Sequence, residues 1–115
     1  MVMKPAKMRV PQNIGQLRDI LSTILLSAPK FLDKTGYHPY RDLDYIFRQL
    51  LAGLAHNRAA LGEERYVQLK GMSERMRALF EADPESKTGE TLQGYKIIHE
   101  VEDILDDVRR KSARR

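Results

Sequence analysis

Cysteine is absent from this 115-residue chain. That excludes a disulfide framework, a thiolate nucleophile and cysteine-ligated zinc or iron–sulfur centres. Long apolar runs are absent too. No stretch approaches the roughly 18 apolar residues of a membrane-spanning helix, and the first ten residues lack the apolar block of a secretory signal. Strand-like alternation is missing throughout, which argues against a sheet. What remains is ordinary for a globular chain, 42% hydrophobic and 31% charged. A chain this long is expected to form one domain that buries roughly two thirds of its unfolded surface, without covalent staples.

The net charge of +4 hides a division. Lys4, Lys7 and Arg9 lie at one end, and Arg109, Arg110, Lys111, Arg114 and Arg115 at the other. The intervening residues hold all 16 acids against 12 bases. An acidic body between two basic ends is the expectation, divided as a flexible lead-in over 1–11, a helical bundle over 12–110 and a basic tail over 111–115.

Apolar residues recur at helical spacing in four segments. Ile14, Leu17, Leu21, Ile24 and Leu25 mark a helix over about 13–27 with Asn13 as its N-cap, while Ile20 and Leu26 overflow that stripe. Leu43, Phe47, Leu50, Leu54 and Leu61 mark one over about 40–61 ahead of Gly62, with Asn57 on the same face as a buried, register-fixing amide. Tyr66, Leu69, Met72, Met76, Leu79 and Phe80 mark a third over about 63–82, stopped by Asp83-Pro84. Ile98, Val101, Leu105 and Val108 mark a fourth over about 90–110, capped by Thr88 or Thr91, where Gly94 on the core face lets two helices approach closely. Short connections make the fold class all-α, a single-domain antiparallel four-helix bundle.

Two motifs of serine penicillin-recognising enzymes occur here, S-x-x-K at Ser27 to Lys30 and K-T-G at both Lys34 to Gly36 and Lys87 to Gly89. Their chemistry needs the lysine one unbroken helical turn after the serine and the K-T-G on a strand. Pro29 interrupts the turn and no strand is expected, so the matches are fortuitous. His99 has Glu102 and Asp103 at i+3 and i+4, yet it points away from its own apolar stripe, and position 96 is lysine where a di-iron bundle needs glutamate. An exposed histidine beside Asp103 is the reading. No nucleophile–base pair, phosphate loop or metal set emerges, so the chain is expected to be no enzyme and to need no cofactor.

The acids of the fourth helix stand out. Glu100, Glu102, Asp103, Asp106 and Asp107 fall within eight residues with no interleaved cation, and apart from Lys96 the ionised groups of this helix's outer face are all negative. The third helix, by contrast, spaces Lys70 with Glu74 and Arg77 with Glu81. Like charges at i,i+4 cost a few tenths of a kcal/mol per pair, a repulsion that a basic partner surface would relieve. Glu100, Asp103 and Asp107 are placed on one outward line, with Glu102 and Asp106 on its flank. Tyr37 and Tyr40, in the loop before the second helix, are a second candidate contact, because tyrosine buries large area at small rotamer cost.

Phe80-Glu81-Ala82-Asp83-Pro84-Glu85, with Asp44-Tyr45-Ile46 before it and Gly94-Tyr95 after it, resembles the pattern of small all-helical bacterial immunity proteins that neutralise toxins delivered between cells, including type VI secretion effectors. The resemblance covers about half the chain. It implies a cytoplasmic, non-enzymatic protein that binds one toxin domain through an acidic face, and it assigns no individual residue. The alternative is a small nucleic-acid-associated or regulatory bundle acting through its basic tails. A protein partner is expected, a homodimer is left open, and no membrane is involved.

Overall fold

The computed structural model describes residues 9–28 and 43–113. The lead-in up to residue 8, the Pro29 break, the loop with Tyr37, His38 and Tyr40, and residues 114–115 lie outside the described residues. Helix α1 runs Ile14–Ser27, α2 Leu43–His56, α3 Arg58–Leu61, α4 Glu63–Ala82 and α5 Glu90–Ala113.

Antiparallel order follows from which ends meet. Arg77 near the end of α4 reaches Asp44 at the start of α2 at 3.0 Å, and the Phe80 and Phe47 rings lie 6.4 Å apart. Arg65 early in α4 reaches Asp107 late in α5, whereas Phe80 packs on Tyr95 at 5.8 Å. Across the α1–α5 seam Arg18 meets Glu102, and the Tyr95 hydroxyl donates to the Ala28 carbonyl at 3.1 Å. Each helix therefore runs against both neighbours, α1 touching α2 and α5, and α4 touching the same two. This is the expected all-α, up-and-down bundle.

The core is the sum of the apolar stripes. Leu17, Leu21 and Ile24 of α1, Phe47, Leu50 and Leu54 of α2, Leu69, Met76 and Phe80 of α4, and Ile98, Val101 and Leu105 of α5 are all 0–1% exposed. Each such side chain contributes roughly 1.5–3 kcal/mol of burial. A Cβ placed on Gly94 would stand 2.5 Å from the Phe80 ring, so α4 and α5 close to this distance only because position 94 has no side chain.

Three local features differ from the simple four-helix expectation. The second helix breaks at Asn57. The Asn57 side chain is buried and its Nδ2 donates to the Gly53 carbonyl at 2.7 Å, beside the ladder bond that the Asn57 amide makes to the same carbonyl at 3.0 Å, and α3 is a separate single turn. Gly62, at φ +86°, then reverses the chain into α4, a conformation that costs glycine little. The last helix continues through Lys111 to Ala113 rather than stopping near 110. Finally, residues 9–13 form a strap along α2. Gln49 Nε2 donates to the Arg9 carbonyl at 2.9 Å and Asn57 Nδ2 to the Pro11 carbonyl at 3.1 Å, while the Pro11 ring sits over Gly53, where a Cβ would come within 2.8 Å of it. The strap ends at Asn13, whose side chain accepts from the Gln16 amide at 2.9 Å and caps α1 as its sequence position suggests.

At the opposite end of the bundle, Asp83 organises the α4–α5 loop. One carboxylate oxygen accepts from the Lys87 and Thr88 amides at 2.7 and 3.2 Å, the other from the Thr91 amide at 3.1 Å, and the Thr91 hydroxyl donates back to the Asp83 carbonyl at 2.9 Å. The cap of α5 is thus a carboxylate reaching across the loop, not the hydroxyl of Thr88 or Thr91. Burial alone would raise the Asp83 carboxyl pKa. The Thr91, Lys87 and Thr88 amides outweigh burial and hold it at about 2, below its ordinary 3.8.

Candidate interaction face on helix α5

Helical periodicity sorts the five acids by the neighbour each one meets. With Ile98, Val101, Leu105 and Val108 turned inward, Glu102 and Asp106 fall on the flank facing α1. Arg18 lies between them, 3.2 Å from Glu102 and 3.4 Å from Asp106. The Glu102 side chain is only 14% exposed, and its other oxygen takes His99 Nδ1 at 3.0 Å. Asp107 falls on the other flank, where Arg65 of α4 and Lys111 of its own helix each approach to 3.2 Å. The hydrogen bond from Lys111, with the nearby positive charges of Arg65 and Arg110, holds the Asp107 carboxyl below the ordinary carboxylate range despite partial burial.

Two parts of the sequence expectation are corrected by this arrangement. The acids are not an unrelieved run. Three of the five find cations, two of these (Arg18 and Arg65) on neighbouring helices that sequence spacing on α5 alone could not reveal. Asp107 is also no longer on the outward line; it is half-buried between Arg65 and Lys111. Glu100 and Asp103 remain, exposed on the outer face, and neither makes an ion pair among the described residues. Lys96 and His99 share that face, the latter 63% exposed and paired with Glu102 in place of Asp103. Tyr37 and Tyr40 lie outside the described residues.

The other motifs reduce to structure. Lys87-Thr88-Gly89 is the loop segment held by Asp83, and Thr88 Oγ1 is bonded to Glu90. Ser27 is the last residue of α1. Of the two pairs expected on α4, Arg77–Glu81 forms at 2.9 Å, whereas Lys70 and Glu74 form no bridge. Among the described residues no group of three or more His, Asp or Glu side chains is placed to hold a metal ion, and no helix is long and apolar enough to cross a membrane. The basic end is drawn partly into the fold, since Arg110 and Lys111 both approach Asp107.

No family model, curated protein or solved structure matches this chain.

Proposed function

We propose that this bundle acts by binding another protein, not by catalysis, and that Glu100 and Asp103 form the charged centre of the contact. The observation behind this reading is selective neutralisation. Among the described residues Glu102, Asp106 and Asp107 are matched by cations of the chain itself, while the two outermost acids one turn apart are not. A basic partner surface would supply the missing counter-charges and steer association. In its most concrete form the partner is a bacterial toxin domain neutralised in the cytoplasm, as the resemblance to small helical immunity proteins implies.

The test is a double charge reversal, Glu100→Lys with Asp103→Lys, leaving Asp107 in place because it serves the fold. Proteins retained by the wild-type chain from cells that express it are identified, purified and titrated against both forms. The reversal is expected to slow association and weaken binding by about tenfold or more at low salt, and by less at high salt. Thermal stability should stay within about 0.5 kcal/mol, as for other surface substitutions. Affinity within twofold of wild type would remove the acidic pair from the reading and move attention to Ile20 and Leu26 of α1, the latter 86% exposed.

A further inference from the structure

An open cleft of about 650 Å³ lies where the strap meets α1 and α2, and no residue of α5 lines it. Its volume falls within the roughly 300–1,000 Å³ of small-molecule sites. Val10, Pro11 and Ile20 give it an apolar wall, and Arg9 and Asp19 place opposite charges on its rim. Both are exposed, and among the described residues neither bridges the other or any other charged group. Gln49 stands in the wall and is only 8% exposed. Its Nε2 is committed to the Arg9 carbonyl, whereas its Oε1 accepts no hydrogen bond among the described residues and is not sealed from solvent. A nearly buried amide thus presents a free acceptor in a cleft whose lining also carries one cation and one anion.

We propose that this cleft binds a small zwitterion carrying an aliphatic side chain, a free amino acid or a short peptide. The Arg9 guanidinium takes the ligand carboxylate, for which its planar fork is suited. The ligand ammonium donates to the Asp19 carboxylate and to Gln49 Oε1, and the alkyl group lies against Val10 and Ile20. A ligand with only one of the two charges leaves the other rim residue unused, so recognition depends on both. This site is separate from the α5 face, and either proposal stands if the other fails.

Isothermal titration of the full chain with leucine and with leucyl-leucine tests it, with N-acetyl-leucinamide as the uncharged control. At least one zwitterion is expected to bind saturably and the control not at all. Tighter binding of leucine identifies a free amino acid as the ligand, and tighter binding of leucyl-leucine a peptide. Arg9→Gln and Asp19→Asn should each weaken binding about tenfold, the size of one lost charge-assisted bond at a partly exposed site. Both residues are exposed, so the melting curves should not move. The side-chain amide resonance of Gln49 should shift on leucine addition. The proposal is overturned by an absence of saturable binding with both zwitterions, by equal binding of the neutral control, or by binding that survives both substitutions.

Discussion

The two ends of this bundle meet the same requirement with different chemistry. Wherever the chain reverses, main-chain polar groups come close to the core and need partners. At the α4–α5 end the partner is an ionised group, Asp83, which gathers three amides and is 3% exposed. At the strap end the partners are neutral amides, Gln49 and Asn57, which take the carbonyls of Arg9, Pro11 and Gly53. The charged solution makes stronger bonds and is hostage to pH. The neutral one is weaker and indifferent to pH. The chain has placed its charge where amides must be gathered and its carboxamides where carbonyls must be, since a carboxylate can only accept.

Substitutions at each end should separate the two. Asp83→Ala is expected to be the more damaging, leaving the Lys87, Thr88 and Thr91 amides without their acceptor, with a fall in melting temperature on the order of 10 °C. A loss no larger than that of a surface substitution would mean that water replaces the carboxylate. Asn57→Ala should cost about 1–3 kcal/mol in urea unfolding, because the Pro11 carbonyl loses its donor in a buried setting while the Gly53 carbonyl keeps the Asn57 amide. Hydrogen exchange should then quicken first at the strap end. The smallest effect is the pH response. Since the Asp83 carboxyl titrates near 2 in the fold and near 3.8 when unfolded, its stabilisation is complete above about pH 4 and disappears as pH falls toward 2. Asp83→Asn should flatten that part of the acid limb, whereas Asn57→Ala should leave its slope unchanged.

The helices were legible because each buries one stripe, and a stripe repeats at 3.6 residues whatever it packs against. Gly94 and Asn57 were legible for the same reason, as a small and a polar residue sitting on otherwise apolar faces. The break at Asn57 was not, because the Asn57 side chain is committed to the Pro11 carbonyl, 46 positions away in the chain, and no local propensity encodes that. The true state of the acidic face was hidden by distance along the chain. Arg18 and Glu102 are 84 positions apart, and Arg65 and Asp107 are 42 apart. Charge patterning within one helix reports repulsion correctly and says nothing about cations arriving from elsewhere. Asp83 was visible only as a helix stop. Its capping partners lie four, five and eight residues onward, a reach set by a loop whose course the sequence does not spell out.

The ring of antiparallel neighbours also orders events in time. Three of its four seams join helices consecutive in the chain or separated only by the single turn of α3, so they enclose less chain than the fourth. The fourth, between α1 and α5, must bring together positions 84 residues apart before Arg18 can meet Glu102 and 67 apart before Tyr95 can reach Ala28. Closure entropy grows with the length of chain enclosed, so this seam carries the largest entropic cost of the four. In a folding trajectory it is the seam expected to zip last. In the native state it is the one expected to part first, which makes α1 the lid of the core and the α4–α5 pair its foundation.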